Sequence, residues 1–329
     1  AMHDAPVSFA TDSRLIASAP VVMRLMKHSA KSMNSSRHSG LESLARALAR
    51  GASMELYLTP KPGLVDLIDN GSHPDLSLAV MEQSIDIVAE YLKEIVVALK
   101  SDEPFLCQKN LAIQAERRLY DELGTNTHKG YIFLSGMLLI ARHRAGTSER
   151  LAIRQSLSSI SAEFFSASAA EGTNGDKARR KFNAGGIVRE AIDGYPSLFE
   201  EALPAFRNAM VRHQNVKMAS FAMLARLMQT VDDTTTLHRA GLAGREKVRC
   251  DGAVLEALIA RGDGFIPYLE ELNREYRRLN ITIGGVADML GIAFGCLLEE
   301  GAIGAMGAMT QGNECLAERA GMAQLQGTY

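Results

Sequence analysis

The sequence predicts an all-α protein with a single large domain of roughly ten to thirteen helices, at about 25 residues for each helix and its loop. Apolar residues recur with a helical period through much of the 329-residue chain. Alternating patterns with hairpin turns, which would indicate strands, are scarce. Trp is absent and aromatic residues make up only 6% of the chain, so Ala and 15 Met residues fill the interior.

Four segments carry the helical pattern most clearly. Between Met81 and Leu99, the apolar positions 81, 85, 88, 92, 95, 96 and 99 lie on one face of a helix. The pattern returns in residues 111–119 and 221–231. Residues 131–143 begin with an almost continuous apolar run, which is typical of a helix buried on most sides.

Composition excludes several classes of protein. The net charge is −2, with 36 Lys and Arg against 38 Asp and Glu, so bulk attraction to nucleic acid or an anionic membrane is not expected. The four Cys residues lie far apart and form neither a zinc-binding spacing nor a disulfide framework, which favours a reducing, cytoplasmic location. The longest apolar stretch is interrupted by acidic residues and cannot span a bilayer.

The chain divides into two regions by composition. Residues 1–40 form a basic, Ser-rich N-terminal tail, and residues 13–41 contain no acidic side chain, a composition that resembles a transit peptide. The alternative, which we favour, is a mobile and partly disordered basic tail. Residues 41–329 show no further shift in composition, and we expect them to form one helical catalytic domain.

A rigid loop is predicted where two prolines flank Lys61 and are followed by Gly63. A stiff lysine loop suits a phosphate group. Asp66 lies between apolar pairs, which indicates a carboxylate that points inward. The alternative is a plain turn with a solvated lysine.

A second polar loop contains His73 and Asp75 and precedes the helix that begins near residue 78. These side chains are candidates for the site. The alternatives are that Asp75 is the N-cap of that helix and that His73 is an ordinary loop histidine.

A third polar segment leads into the buried helix of residues 131–143. Because N–H groups at the start of a helix attract anions, a histidine and a lysine at this position indicate a phosphate site. The alternative is that Thr127 or Asn126 is an ordinary N-cap. The segment consists of Asn126, Thr127, His128, Lys129 and Gly130.

A fourth segment places Asp232 and Asp233 at the C-terminus of a helix, where two carboxylates oppose the helix dipole. Mg²⁺ would compensate for this charge. His238 and Arg239 follow shortly afterwards. The alternative is that Asp233 caps the next helix.

A fifth segment contains Gly284 and Gly285, whose N–H groups can form a concave phosphate site. Asp288 has apolar neighbours on every side of its helix, so we expect it to be buried and either paired or bound to metal. The alternative is a Gly-Gly turn with a capping aspartate.

Together these segments suit a nucleotide polyphosphate with Mg²⁺ on a helical scaffold. The chain lacks the P-loop and GxGxxG motifs of common nucleotide-binding folds, and it also lacks the HExxH and GxSxG motifs.

The order of these motifs resembles the triphosphoribosyl-dephospho-CoA synthase family over residues 41–297. The segments that carry the resemblance are Thr-Pro-Lys-Pro-Gly-Leu-Val-Asp (59–66), Asn-Gly-x-His-x-Asp (70–75), Asn-Thr-His-Lys-Gly (126–130), Asp-Asp-Thr (232–234), His-Arg-x-Gly (238–241) and Gly-Gly-x-Ala-Asp (284–288). The fourth and fifth of these are more similar to the malonate decarboxylase branch than to the citrate lyase branch.

The resemblance implies an all-α transferase that joins ATP to 3′-dephospho-CoA and releases adenine. The product would be the precursor of the prosthetic group of an acyl-carrier subunit. A holo-carrier transferase would attach this group to the subunit. Mg²⁺ is the implied cofactor, and the resemblance leaves a homodimer open as the assembly.

The implied site residues fall into three groups. The candidates for catalysis are Asp66, Asp75 and His73, with one of the two aspartates as base. The candidates for binding ATP and its phosphates are Lys61, Gly63, Asn126, Thr127, His128, Lys129, Gly130, Arg189, His238, Arg239, Gly284 and Gly285. The candidates for binding Mg²⁺ are Asp232, Asp233 and Asp288, with Asp66 and Asp75 as further candidates.

Three positions depart from the family pattern. Leu67 stands where an arginine is usual, Ile283 replaces a proline, and Arg189 is displaced by one position. Two alternatives therefore remain: a Mg²⁺-dependent nucleotide or ADP-ribose-type hydrolase, and a non-catalytic protein that binds a CoA-like ligand or a carrier subunit.

Overall fold

The structure is a computed structural model that describes residues 39–166 and 185–304. Within these ranges it contains eleven α-helices, one π-helical stretch and no strand, which confirms the prediction of an all-α fold. The predicted N-terminal tail lies outside the described residues, except for its last two positions.

The α-helices follow one another with short connections, and a π-helical stretch, Ser197–Ala202, leads directly into α7. Their bounds are α1 (39–57), α2 (Leu78–Lys100), α3 (Phe105–Leu123), α4 (Lys129–Ala145), α5 (Arg150–Ser166), α6 (Gly186–Ile192), α7 (Leu203–His213), α8 (Val216–Thr230), α9 (Thr234–Arg261), α10 (Phe265–Leu279) and α11 (Gly284–Glu299).

Helix α2 forms where the apolar spacing predicts it. Its buried stripe includes Val88, Leu92 and Ile95, while the opposite face is charged. Its N-cap is Ser77, whose hydroxyl accepts the Val80 N–H at 3.4 Å. The interpretation of Asp75 as the cap is therefore wrong, because the helix begins two residues later than that assignment requires.

Helix α4 lies in the middle of the core. Ten of its residues are buried, including Ile132 and Leu139, and it packs against α2, α3, α5, α6 and α11. Tyr131 donates a hydrogen bond to the backbone carbonyl of Leu48 at 2.6 Å, which ties α4 to α1. The nearly continuous apolar run is thus explained by contact with neighbours on most sides.

Helices α1 and α11 cross at glycines. A Cβ atom on Gly51 would collide with the backbone of Gly291 and Gly295, so only glycine permits this approach. The crossing brings the end of α1 and the start of α11 into one region, where the polar loops also lie.

Helix α9 contains a break. Gly241 has φ 65° and ψ −162°, a conformation that interrupts the helix and that favours glycine. The break separates the first turns of α9, which carry His238 and Arg239, from the long remainder that packs on α8. No helix of the described ranges is long and apolar enough to cross a membrane.

Candidate active site

The loop of residues 58–77 is anchored by a buried ion pair. Lys61 is fully buried, and its ammonium group lies 2.6 Å from Glu55 Oε1 and 3.3 Å from the carbonyl of Leu56. It also contacts the carbonyl of Glu55. The three ammonium protons therefore all have acceptors in α1, and a contact between Lys61 and phosphate would require one of these bonds to be exchanged.

Asp66 closes the turn that follows the lysine. Its Oδ2 accepts the Lys61 N–H at 2.8 Å, and its Oδ1 accepts the N–H groups of Ile68 at 2.8 Å and Asp69 at 3.3 Å. Burial raises the pKa of Asp66, and these hydrogen bonds oppose the rise. The carboxylate points inward, as predicted, and both of its oxygens accept hydrogen bonds from backbone N–H groups.

Gly63 is required by a close approach. It has φ +71°, and a Cβ atom there would collide with the backbone carbonyl of Ile281. Its N–H donates to Asn273 Oδ1 at 2.9 Å, while Asn273 Nδ2 donates to Asp69 at 3.0 Å. The loop is thereby fixed against α10 and the segment before α11.

His73 connects this loop to α9 and to the segment before α11. Its Nδ1 lies 3.3 Å from Arg239 Nη2, and its Nε2 lies 2.8 Å from Thr282 Oγ1. Because a guanidinium can only donate, Nδ1 accepts and Nε2–H donates. Burial and then the charge of Arg239 lower the pKa of His73 to about 4, so the ring is neutral at physiological pH.

Arg239 joins two loops. Its Nη1 donates to the carbonyl of Ser72 at 2.7 Å and to Asn280 Oδ1 at 3.3 Å. Thr236, one turn earlier on α9, donates to the carbonyl of Thr282 at 2.7 Å. The start of α9 therefore holds both loops that carry the predicted site residues.

Asp233 caps α9, as the alternative interpretation of this residue predicts. Its Oδ1 accepts the N–H groups of Thr235 at 2.8 Å and Thr236 at 3.0 Å. Its Oδ2 accepts the Val286 N–H of α11 at 3.0 Å, with a further bond from Gly285. Burial raises the pKa of Asp233 and these bonds oppose the rise. Gly285 thus donates to a protein carboxylate.

Asp288 faces the start of α4. Its carboxylate lies so close to Gly130 that a Cβ atom on this glycine would collide with Oδ2, and it accepts a backbone hydrogen bond from Tyr131. Burial raises the pKa of Asp288 well above its ordinary value, and repulsion from Glu55 and Asp233 adds to the rise. The carboxylates of α1, α9 and α11 therefore lie near one another.

The central residues of this region form what we call the polar node. Hydrogen bonds or electrostatic repulsion link each member to at least one other. The polar node consists of Glu55, Lys61, Asp66, His73, Asp233, Thr282 and Asp288.

His128 lies beside the polar node in a left-handed conformation, with φ 56°, at the N-cap position of α4. It is the cap in place of the predicted Thr127 or Asn126. Its Nδ1 lies 2.6 Å from Ser84 Oγ, and burial together with the charge of Lys61 lowers its pKa to about 4. The ring offers hydrogen bonding but no positive charge.

Other predicted residues lie at the exposed rim. Asp75, Asn126 and His238 are exposed, while Thr127 donates to the sulfur of Met81. Gly284 starts α11 in contact distance of the Thr235 side chain. Lys129 is half exposed and lies 2.6 Å from Glu116.

Two further predicted residues, Asp232 and Arg189, make their contacts outside the polar node. Asp232 accepts the Gly185 N–H at 2.8 Å and lies 3.3 Å from Arg245. Arg189 is largely exposed and pairs with Asp193 one turn along α6 at 2.6 Å.

The three predicted Mg²⁺ ligands do not share one site: Asp233 and Asp288 lie near each other in the polar node, whereas Asp232 makes its contacts elsewhere. Asp232 is directed to Gly185, Asp233 to two helix starts and Asp288 to α4. Across residues 39–166 and 185–304, no group of three or more His, Cys, Asp or Glu side chains is arranged to hold a metal ion. The donor set therefore does not fit a resident Mg²⁺ site of three aspartates.

Several residues of the site are missed by sequence reasoning. Glu55 carries one detectable signal, since it interrupts an apolar helix end between Met54 and Leu56. Asn273 and Ser84 carry none, because each is a single polar residue in a helix with other polar positions. Their partners lie far away in sequence, 210 residues for Asn273 and Gly63.

Comparison with known proteins identifies the family. The profile of the ATP:dephospho-CoA triphosphoribosyl transferase family matches residues 41–303. A probable 2-(5″-triphosphoribosyl)-3′-dephosphocoenzyme-A synthase of Salmonella gallinarum is 28% identical over 270 residues, which are 75% of this chain and 87% of the relative.

Two further relatives carry similar names. The probable synthase of Streptococcus mutans is 28% identical over 77% of this chain and 94% of its own length. The 2-(5″-triphosphoribosyl)-3′-dephosphocoenzyme-A synthase of Klebsiella pneumoniae is 27% identical over 77% of this chain and 89% of its own. No solved structure matches the chain. With the family profile covering most of the sequence, the chain belongs to the ATP:dephospho-CoA triphosphoribosyl transferase family.

Proposed function

We propose that the protein is a transferase that joins ATP to 3′-dephospho-CoA, releases adenine and forms 2′-(5″-triphosphoribosyl)-3′-dephospho-CoA. One observation supports this most strongly: the loop of residues 58–77 and the starts of α4, α9 and α11, which carry the family motifs, converge around the polar node. We infer the reaction from membership of the family, and we infer its location from the convergence of the motifs.

In the proposed reaction, the 2′-hydroxyl oxygen of 3′-dephospho-CoA forms a bond to C1 of the ATP ribose. The bond from C1 to adenine breaks. The 2′-hydroxyl group loses its proton, and the adenine that leaves takes up one proton, so the reaction is balanced. Nearby carboxylates would stabilise the positive charge that develops on the ribose in the transition state. Of the two aspartates predicted as base, Asp75 is exposed, whereas both oxygens of Asp66 accept backbone N–H groups. We therefore assign the proton transfer to Asp75.

We assign the triphosphate to the rim between the polar node and the start of α4. Lys129 is half exposed at the start of α4, and His128 beside it can contribute hydrogen bonds. His238 is exposed on the first turns of α9, and we include it in the proposed triphosphate site. In this proposal Mg²⁺ arrives bound to the phosphate oxygens of ATP, as is usual for Mg²⁺ that binds few carboxylates. His73 is neutral and does not supply charge to the phosphates. Its role in this proposal is to orient Thr282 and Arg239 through its two ring nitrogens.

The product would serve as the prosthetic-group precursor of an acyl-carrier subunit. We favour malonate decarboxylase over citrate lyase as the destination because of the Asp-Asp-Thr and His-Arg-x-Gly segments. The absence of paired Cys spacing supports a cytoplasmic location, and assembly as a homodimer is part of the proposal.

The test is chromatography with mass detection of the purified protein incubated with ATP, Mg²⁺ and 3′-dephospho-CoA. The proposal predicts adenine and the triphosphoribosyl adduct in equal amounts. Adenine without adduct would contradict it in favour of a hydrolase. Thermal stabilisation by the two substrates without turnover would contradict it in favour of a binding protein.

Variants locate the chemistry in the same assay. Asp75→Asn is expected to lower kcat by about 100-fold or more if it removes the base. Asp86→Asn, at an exposed aspartate on α2 outside the motif segments, is the matched control and should keep full activity. Equal loss in both variants would contradict the assignment of Asp75.

A further inference from the structure

Two buried carboxylates connect the N-termini of three helices. Asp233 caps its own helix, α9, through Oδ1 and accepts N–H groups from the first turn of α11 through Oδ2. Gly285 allows this contact, because its Cβ position lies only 3.1 Å from Asp233 Oδ2. One side chain thus satisfies N–H groups that neither helix can satisfy internally.

The second connection starts on α11 itself. Asp288, one turn after Gly284, accepts a backbone hydrogen bond from Tyr131 in the first turn of α4. The cap residue of α4, His128, makes no side-chain bond to that turn, so Asp288 supplies the acceptor from another helix. Asp233 therefore connects α9 to α11, and Asp288 connects α11 to α4.

We propose that Asp233 is a positioning residue that sets the placement of α11 on α9 and, through Asp288, of α4. The inference rests on the proposed function, since residues 282–285 and 126–130 flank the proposed substrate site. A carboxylate that accepts N–H groups on both oxygens fixes direction as well as distance. A displacement of about 1 Å between such segments can cost roughly 100-fold in rate.

The substitution Asp233→Asn separates the two connections. The amide oxygen can still accept from Thr235 and Thr236 and keep the cap of α9, as Asn is a good N-cap. The amide nitrogen, however, is a donor and would face the N–H groups of Gly285 and Val286. The variant therefore removes the connection to α11 and leaves the one to α9.

The first measurement is amide hydrogen exchange in the full chain without substrates. In Asp233→Asn we expect exchange in residues 284–287 to rise at least roughly tenfold, with a smaller rise in residues 130–132 and little change in residues 235–237. Unchanged exchange in residues 284–287 would overturn the inference. Because no substrate is present, this result does not depend on the proposed reaction.

The second measurement separates positioning from metal binding in the transferase assay. We expect kcat of Asp233→Asn to fall about 100-fold while the Mg²⁺ concentration for half-maximal rate stays within about twofold. A rise of roughly tenfold or more in that Mg²⁺ concentration, with activity restored by excess Mg²⁺, would overturn the inference and make Asp233 a metal ligand.

Two matched variants complete the test. Gly130→Ala displaces Asp288 and should increase exchange in residues 130–132 while residues 284–287 keep most of their protection. Asp232→Asn removes a neighbouring carboxylate that contacts Gly185 and Arg245, and it should leave residues 284–287 unchanged. Equal effects of Asp232→Asn and Asp233→Asn on residues 284–287 would contradict the inference.

Discussion

Two regions of the molecule concentrate carboxylates, and they differ in burial and in hydrogen bonding. In the polar node, Asp66 and Asp233 are buried, and each oxygen of their carboxylates accepts at least one backbone N–H. The second region is a groove of about 280 Å³ between α2 and α3. Its acidic side chains, Asp86, Glu90 and Glu122, are exposed.

Helix α2 contributes to both regions from opposite faces. Ser84 is buried and bonds to His128 beside the polar node, whereas Asp86 and Glu90 face the groove. A carboxylate in water keeps its hydration, while a buried one needs donors from the protein. The same residue type therefore organises backbone in one region and remains solvated in the other, which predicts different responses to substitution.

The largest expected effect is on the buried ion pair. Lys61→Met leaves Glu55 buried without its partner, and we expect the free energy of unfolding to fall by about 3–5 kcal/mol. Urea denaturation measures this change. Lys129→Met removes the half-exposed pair with Glu116 and should cost less than about 1 kcal/mol. A loss below roughly 1 kcal/mol for Lys61→Met would show that the pair is not buried as described.

The next effect concerns the close approach of the loop to the segment before α11. Gly63→Ala and Gly124→Ala both place alanine at a positive φ, +71° and +67°, which costs about 1–2 kcal/mol. Only Gly63 has backbone in the way, since nothing lies within 4 Å of the Cβ position of Gly124. We expect Gly63→Ala to cost roughly 1–3 kcal/mol more, measured as the difference in unfolding free energy. Equal losses would refute the contact with Ile281.

A smaller effect tests the neutral state of His73. Its pKa in the folded protein is about 4, below the ordinary value of 6.5. Between these values the unfolded chain binds a proton that the folded protein does not, so the histidine contribution to stability falls as pH drops from 6.5 to 4.

We expect the stability advantage of the native protein over His73→Gln to shrink by roughly 2 kcal/mol across this range. Urea denaturation at several pH values measures it, and the buried carboxylates cancel because both proteins contain them. His238→Gln, at an exposed position, is the control. A constant difference between the native protein and His73→Gln would contradict the neutral, buried ring.

The smallest effect is expected in the groove. Asp86→Asn removes one solvated charge and should change the free energy of unfolding by less than about 0.5 kcal/mol. Thermal unfolding is sufficient to detect a larger change. A loss comparable with that of the ion pair would mean that the two regions do not differ as the burial of their carboxylates indicates.

The helices were predictable from the sequence because their apolar spacing reflects burial along one face, as in α2 and α4. The segments of the site were predictable as well, since polar residues such as Asp233 and Asp288 interrupt apolar runs. Pairings across the fold were not, because local pattern carries no information on whether Glu55 meets Lys61 or whether Asn273 meets Gly63.

The residues that cap the helices were also not fully predictable from the sequence. Ser77 rather than Asp75 caps α2, and His128 takes the cap position of α4 in a left-handed conformation that sequence alone does not indicate. Asp233 was expected either to cap a helix or to bind metal, and the structure shows that its cap extends to a second helix. Such contacts depend on which helix ends meet in space.

The most direct test of the account is amide hydrogen exchange of the native protein with and without ATP, Mg²⁺ and 3′-dephospho-CoA. We predict that the substrates slow exchange in residues 72–75, 126–130, 234–239 and 282–288, which surround the polar node, and leave residues 86–90 and 122–123 of the groove unchanged. Protection confined to the groove, or absent from the four motif segments, would contradict the account.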